Sequence, residues 1–490
     1  MTTMLRSKGL FIAGAWEPAG DVEDVVNPAT EAVIGRAPVG SQAAVLAAID
    51  AAREAFDKGP WPTMKPAQRQ EYLQRFLDAI RAREEDICRL ITAEAGATLV
   101  LARTLQFGIP LRIAQHIVDI CTRDPITPVA PQLNDMGQTT LLGCGVYVRE
   151  PVGVAAIITP YNVPFFLNLA KSVPALATGC TVVLKPSAFT PFEALILGEI
   201  AEEVGLPKGV LNIVTGGPDV GRIMTTDERV DLVSFTGSDK VGEAILAQAA
   251  PSLKRVLLEL GGKSALIVRP DADLDAAVRD GLFGFTAHCG QGCQLLTRHL
   301  VHNSIREAYV EKVSAIATRL VIGDPAAPET QVGPLIRNSQ RLRTEHYVEK
   351  AKAEGARLVI GGRRPADRPR GYFYEPTLFS DVRNDMTIAQ EEVFGPVGVV
   401  IGFDTDEEAI AIANDSRFGL NGAVHSADTG RAYEMALRLR TGGVAINGGA
   451  GGILSAAPFG GIKRSGFGRE FGIEGLNEYT YTKTIAFRAV

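Results

Sequence analysis

At 490 residues the chain is longer than one hydrophobic core usually organises, which predicts two or three domains and excludes a hormone, a small adaptor or a minimal toxin. Hydrophobic residues make up 46% and charged residues 22%, ordinary globular values that exclude intrinsic disorder. The 50 Lys+Arg against 56 Asp+Glu leave a net charge of −6, so no global positive field is available to hold a nucleic acid.

Residues 1–10 lack a sustained apolar segment with a cleavage site, so they do not read as a secretory signal. Apolar runs such as residues 152–158 fall far short of the roughly 20 residues that span a bilayer. The expectation is a cytoplasmic protein with neither membrane nor nucleic-acid partner. Residues 41–56 place Ala44, Ala47, Ala48, Ala51, Ala52 and Phe56 at helical spacing behind a serine suited to cap free amides. Residues 66–94 and 98–121 read as two more helices, separated at Gly96.

From Val152 the texture changes to short β-rich runs, VGVAAIIT, TVVLKP, VLNIVTG, DLVSFTG and RVLLELGG, each ending in Gly, Pro, Ser or Thr. A helical stretch over residues 190–204 lies between two of them, which predicts an α/β, doubly wound sheet that binds ligands at the carboxyl ends of its strands. A second α/β series runs from Ser264 to about Ala445, with strands at SALIV and HLVH and helices over residues 274–287 and 305–320. Residues 139–149 and 479–488 alternate and are β-prone, as an added sheet or an oligomer contact requires.

Six cysteines, Cys88, Cys121, Cys144, Cys180, Cys289 and Cys293, are too scattered for a disulfide scaffold. Cys293 stands apart: in HCGQGCQ, Gly290 and Gly292 leave the backbone open to a ligand. A thiol reacts as the thiolate, so it needs a base. Glu259, 34 residues upstream, closes the apolar strand VLLEL before Gly261 and Gly262, where its carboxylate faces a crevice; a solvated strand-end glutamate is the plain alternative. A zinc site built on Cys289, Cys293, His299 and His302 is disfavoured, because five residues between Cys293 and His299 is too short a separation for paired ligands. No metal is expected.

These residues sit in a series of motifs that together resemble the NAD(P)-dependent aldehyde dehydrogenase superfamily. The series is NPAT from Asn27, TPYNVPF from Thr159, LKPS from Leu184, FTGS from Phe235, LELGGK from Leu258, GQGC from Gly290, EEVFGPV from Glu391 and PFGGIKRSGFGRE from Pro458. The resemblance covers nearly the whole chain. It implies a Rossmann-like cofactor domain (residues 1–138 and 150–258), an α/β catalytic domain (259–445) and a small β oligomerisation arm (139–149 and 475–490), with 446–474 returning toward the cofactor domain near the active site. A homodimer or homotetramer built through that arm is expected.

By the same resemblance Cys293 is the nucleophile, Glu259 takes its proton and later activates the hydrolytic water, and Asn162 joins the Cys293 backbone N–H in holding the oxyanion. The adduct is oxidised at the expense of the nicotinamide, and the thioester is hydrolysed. Glu470 matches a second carboxylate that relays protons, although a salt bridge to a neighbouring arginine accounts for it equally well. On the cofactor side Lys185 contacts the adenine ribose, Ser238 the pyrophosphate, Glu392 the nicotinamide ribose and Phe394 the ring. Gly217 lets the chain approach the adenosine end, and Ile158, Tyr161, Ala188, Phe235 and Leu260 complete the set. Tyr161 replaces a common tryptophan. Ala188 stands where many NAD-preferring relatives carry a glutamate, so dual use or an NAD preference is expected, with NADP not excluded.

The expected substrate pocket comprises Val163, Phe166, Leu167, Ala170, Gly292, Gln294, Ile453 and Phe459. Ala170 replaces a bulky aromatic, and the loop NGGAGGILSAA is almost free of large side chains, which predicts a medium-to-large apolar aldehyde. Two rivals are weaker. A CoA-acylating enzyme often lacks the equivalent of Glu259, and a non-catalytic relative would have lost Cys293, Glu259 or Asn162. Cys289, four residues before Cys293, is a further hypothesis as a redox modulator of the nucleophile.

Overall fold

A computed structural model of the chain describes residues 5–449 and 453–488. Residues 1–4, residues 450–452 of the expected substrate loop and residues 489–490 of the expected arm lie outside the described residues.

The first sheet has eight strands in the order Gly466–Phe467, Arg255–Glu259, Leu232–Thr236, Val154–Ile158, Thr181–Lys185, Leu211–Ile213, Leu10–Ile12 and Ala15–Glu17. Its five central strands are parallel, and their sequence order reverses between Val154–Ile158 and Leu232–Thr236. That reversal leaves a crevice at the carboxyl ends of those two strands. The central strands are buried on both faces, as expected for β-branched and aliphatic runs covered by helices. One covering helix, Gln42–Asp57, starts where Ser41 Oγ accepts from the Ala44 N–H at 3.2 Å, and it buries Val45, Ala48, Ile49 and Ala52.

The second sheet has seven strands ordered Arg357–Ile360, Thr377–Ser380, Val397–Phe403, Arg298–His302, Ala265–Val268, Gly422–His425 and Ala445–Ile446. All pair in parallel except the Arg357–Ile360 edge. A three-stranded antiparallel sheet joins Thr480–Arg488, Thr140–Pro151 and Ile126–Asp135. Here the structure differs from the sequence reading, which placed residues 126–135 with the first unit. Pro128 and Pro131 obscure the strand pattern, yet an edge strand tolerates proline.

The helices also depart from expectation in two places. The stretch over residues 66–94 is two helices, Pro66–Ala82 and Glu84–Ala95. Arg83 breaks them by leaving helical geometry (φ −108°, ψ 18°) while its guanidinium ties to Glu199 and Glu203, and Glu84, Glu85 and Asp86 favour a new helix N-terminus. The second stretch contains a π-helical turn, Ala102–Gly108, followed by the α-helix Ile109–Ile120. Pro110 cannot donate, and in an α-helix its ring would press on the carbonyl four residues back; the wider turn relieves that contact.

Behind the crevice lies a buried polar chain. Glu94 accepts from the Phe192 N–H (2.9 Å) and Glu193 N–H (3.4 Å), capping a helix, Phe192–Glu203, whose own N-cap position is a proline. Glu193 accepts from Asn168 Nδ2 at 3.1 Å, and Asn168 accepts from Thr159 Oγ1 at 2.6 Å, so the chain ends on the turn that leads to Asn162. Burial pushes Glu94 up to about 7, and burial together with the Glu94 charge pushes Glu193 well above the carboxylate range. Carboxyls with raised folded-state pKa favour folding when protonated, and that contribution falls as pH rises above the unfolded value near 4.5. From about pH 5 to about pH 8, thermal melts are expected to show the parent losing stability relative to Glu193→Gln, which keeps a neutral side chain throughout.

Candidate active site

The crevice deepens into a cavity of about 310 Å³ between the first and second sheets. Asn162 reaches it from the turn after Val154–Ile158, Ser238 from the turn after Leu232–Thr236 and Glu259 from the last position of Arg255–Glu259. Cys293 enters from the opposite side, on the turn before Arg298–His302, and Glu392 and Phe394 from the loop before Val397–Phe403. Tyr161, Leu260 and Glu470 also line the cavity, together with Val163, Phe166, Leu167, Gly292, Gln294, Ile453 and Phe459.

The turn that carries Cys293 is conformationally costly. His288, Cys289 and Gly290 all have left-handed φ (49°, 54° and 73°), a region that non-glycine residues rarely enter. Gly290 is required there, because a Cβ would overlap the Gly395 carbonyl. Gln291, fully buried, fixes the turn: Nε2 donates to His288 O at 3.1 Å and to Pro334 O at 3.4 Å, and Oε1 accepts from the Ile336 N–H at 3.0 Å. Gln291 O in turn accepts from Asn162 Nδ2 at 2.9 Å, which leaves the second N–H of that amide free.

Burial, followed by the charges of Glu392 and Glu259, pushes the Cys293 thiol up to about 12. Glu259 is driven well above the carboxylate range by burial first and then by Glu470, with Lys171 and Arg469 opposing; its Oε2 is buried without a partner. Glu470 pairs with Lys171 rather than with the arginine weighed as the alternative to a proton relay. Lys171 is fully buried in the helix Pro164–Thr178 and also donates to Ser234 Oγ at 3.1 Å. Glu392 accepts from the Gly262 N–H at 3.0 Å, and burial lifts it to about 7. Phe394, itself at φ 59°, is held by Gln340 Nε2, which donates to its carbonyl at 2.7 Å, and its ring meets Tyr161 edge-on at 6.1 Å.

Ile158, Lys185, Ala188, Gly217 and Phe235 do not line this cavity. Ile158 and Phe235 pack in the core of the first sheet. Lys185 is buried beside Gly221, with a single hydrogen bond from Nζ to Pro186 O (3.2 Å), and burial lowers its pKa to about 8. Ala170 was expected to widen the pocket; instead it is 3% exposed in a cluster with Ile113, Phe166, Leu167 and Phe471, whose side chains close over it. Cys289 is fully buried in the core of the second sheet and does not line the cavity, unlike Cys293. His299 binds Tyr309 OH through Nδ1 (3.1 Å) and His302 binds Ser304 Oγ through Nδ1 (2.8 Å); among the described residues no group of three or more His, Cys, Asp or Glu is arranged to hold a metal.

Sequence reading missed Lys171, Gln106, Gln291, Gln340, Arg343 and Phe471. A lysine inside the apolar helix FFLNLAKSVPALA was a usable signal for a buried ion pair. Gln340 and Arg343 had none, because they arrive on the helix Asn338–Ala353 from distant sequence.

The chain matches the aldehyde dehydrogenase family profile over residues 16–485. It belongs to the aldehyde dehydrogenase family. It is 42% identical over 479 residues to a 3-succinoylsemialdehyde-pyridine dehydrogenase from a Pseudomonas species, covering 97% of each chain. It is 39% identical to betaine aldehyde dehydrogenase from Bacillus subtilis, covering 98% of this chain and 97% of that one. A crystal structure of Mycobacterium tuberculosis aldehyde dehydrogenase complexed with NAD+ superposes with a TM-score of 0.92 at 40% identity, covering 99% and 98% of the two chains.

The buried Lys171–Glu470 pair generates a stability prediction. Lys171→Met is expected to destabilise the protein by about 3–5 kcal/mol in urea unfolding, because it strands a carboxylate in a site already crowded by Glu259.

Proposed function

We propose that this aldehyde dehydrogenase works through a covalent adduct on Cys293, with Glu259 as base, Asn162 as oxyanion donor and NAD(P)+ as acceptor. The observation that carries the reading is the convergence of the three side chains on one cavity from two different sheets.

Cys293 Sγ forms a bond to the aldehyde carbon while its proton passes to Glu259, whose buried carboxylate holds protons unusually well. The developing oxyanion is met by the free N–H of Asn162 Nδ2 and by the Cys293 backbone N–H. When bound, NAD(P)+ supplies the two-electron acceptor that raises the adduct to a Cys293 thioester. Glu259 releases the thiol proton to solvent by way of Glu470 and then deprotonates a water, whose oxygen adds to the acyl carbon; the C–S bond breaks, the acid leaves and the departing thiolate takes the proton back from Glu259. Glu470, paired with Lys171, places a second carboxyl beside Glu259 for proton exchange.

The residues present fit a dinucleotide. Among the described residues Lys185 is buried and forms no ion pair, Thr236 Oγ1 is buried and unpaired, and a Cβ on Gly217 would meet nothing within 4 Å, so the helix start there is open to a ligand. Lys185 and Gly217 serve the adenosine end, Ser238 the pyrophosphate, and Glu392 and Phe394 the nicotinamide end. Ile158 and Phe235 support the floor from below. Ala188 offers no carboxylate to repel a 2′-phosphate, so both cofactors are accepted, with NAD favoured.

The walls beyond Cys293 are Leu101, Leu105, Val163, Phe166, Leu167, Ile453, Phe459 and Phe471; Phe471 stacks on Phe459 at 5.5 Å and meets Phe166 edge-on at 6.0 Å. They favour an apolar aldehyde of ring size or larger. The pyridine compound in the Pseudomonas relative's name is in keeping with a ring. Betaine aldehyde, in the Bacillus relative's name, is cationic, and the faces of Phe166, Phe459 and Phe471 are a surface that such a charge can also meet. Exposed Leu133, Leu142, Ile485 and Phe487 on the three-stranded sheet support a homodimer or homotetramer through that arm.

With NAD+ and benzaldehyde or decanal, absorbance of the reduced nicotinamide is expected to rise for the parent and stay flat for Cys293→Ala; no rise with either cofactor overturns the mechanism. Because Glu259 must be ionised to act as base and its pKa is raised, kcat/KM is expected to climb toward alkaline pH, and Glu259→Gln to remove that rise and cost about 10²–10⁴ in rate. Ala188→Glu is expected to shift the ratio of kcat/KM for the two cofactors toward NAD by about tenfold or more.

A further inference from the structure

One charged side chain near the adenosine end has no part in the account above. The antiparallel strands Asp21–Val26 and Val33–Val39 lie against the turn that opens the helix Pro218–Thr226. The Gly40 N–H donates to Thr215 O at 2.9 Å, and a Cβ on Gly216 would come within 3.4 Å of Val39 Cγ1. Lys185 borders the same helix, since a Cβ on Gly221 would come within 3.7 Å of its Cδ.

Strand register decides which side chains share the face of Val39. Opposed residues of an antiparallel pair lie on one face, and neighbours along a strand alternate. Asp21 opposes Val39, Glu23 opposes Ala37 and Val25 opposes Gly35, without a register shift among these pairs. Ala37 and Val25 are buried in the core, so this face is the inner one. Asp24 lies on the outer face, where it pairs with Arg36 at 3.0 Å, whereas Glu23 forms no ion pair among the described residues. Burial lowers the Lys185 ammonium to about 8, and Glu23 is the charge that opposes the fall. On the helix itself Asp219 and Arg222 pair at 3.8 Å and offset one another.

An ammonium and a carboxylate beside one crevice suit a ribose diol, which accepts from the first and donates to the second. A 2′-phosphate is largely ionised near neutral pH, so it lacks the donor and brings a like charge toward the carboxylate.

We propose that Glu23 is a specificity-determining residue that favours NAD over NADP, supplying from the inner face of its strand the carboxylate that Ala188 does not. The proposal rests on the reading of Lys185 and Gly217 as the adenosine end and deepens it.

The test is the dissociation constant of NAD and of NADP, read by calorimetry, for the parent, Glu23→Gln, Glu23→Lys and Asp24→Asn, with kcat/KM for each cofactor and decanal alongside. Glu23 and Asp24 are both exposed on an edge strand, so the variants are expected to fold. The preference for NAD is expected to fall about fivefold in Glu23→Gln and further in Glu23→Lys, both shifts shrinking at high salt. Asp24→Asn removes the same charge from the opposite face and is expected to leave the preference within about twofold. A preference that Glu23→Lys leaves unmoved, or that Asp24→Asn moves as far as Glu23→Gln does, overturns the proposal while the cofactor reading stands. Lys185→Met tests that reading separately: NAD affinity unchanged in this variant, or no binding of either cofactor to the parent, overturns both.

Discussion

The carbonyl of Cys293 lies so close to Gly262 that a side chain there would overlap it. This contact joins the loop that follows Glu259 to the turn that presents the thiol, and so joins the first sheet to the second at the wall of the cavity. Everything else at the site is arranged around that approach. Gly262 also gives its N–H to Glu392, so one short glycine segment sets the thiol turn and the Glu392 carboxyl together. The left-handed run before Cys293 is the local cost of bringing the turn in, and the satisfied amide of Gln291 is what holds it there.

The electrostatics follow from the same enclosure. Four ionisable groups, Cys293, Glu259, Glu470 and Lys171, share a region from which water is largely excluded, and a single ammonium serves two carboxyls. Burial first, and then the neighbouring carboxylates, raises the pKa of both the thiol and Glu259. A thiol with a raised pKa is slower to oxidise or alkylate than a thiolate.

Much of the architecture is legible in the sequence because buried parallel strands advertise themselves. Val154–Ile158, Thr181–Lys185 and Leu232–Thr236 are short, mostly apolar runs that stop at turn residues, and their length and β-branched content favour a buried strand over a buried helix. Cys293, Glu259 and Asn162 are legible because each sits in a short motif beside glycine or proline. Ala170 misled for a different reason: a small residue leaves space only if its neighbours stay back, and Phe166 and Phe471 do not. The break at Arg83 and the strand at residues 126–135 were hidden because a long-range ion pair decides the first and a tertiary pairing the second.

The π turn at residues 102–108 has one more consequence. Such a turn is an α-helix carrying one surplus residue, and removing that residue restores the ordinary register. The restored helix would rotate Leu101, Leu105 and Gln106 by about 100° relative to the residues that follow, exchanging three wall positions at once without altering any residue on the turns that hold Cys293, Glu259 and Asn162. Helix length at this point therefore sets the lining of the cavity independently of the turns that carry Cys293, Glu259 and Asn162.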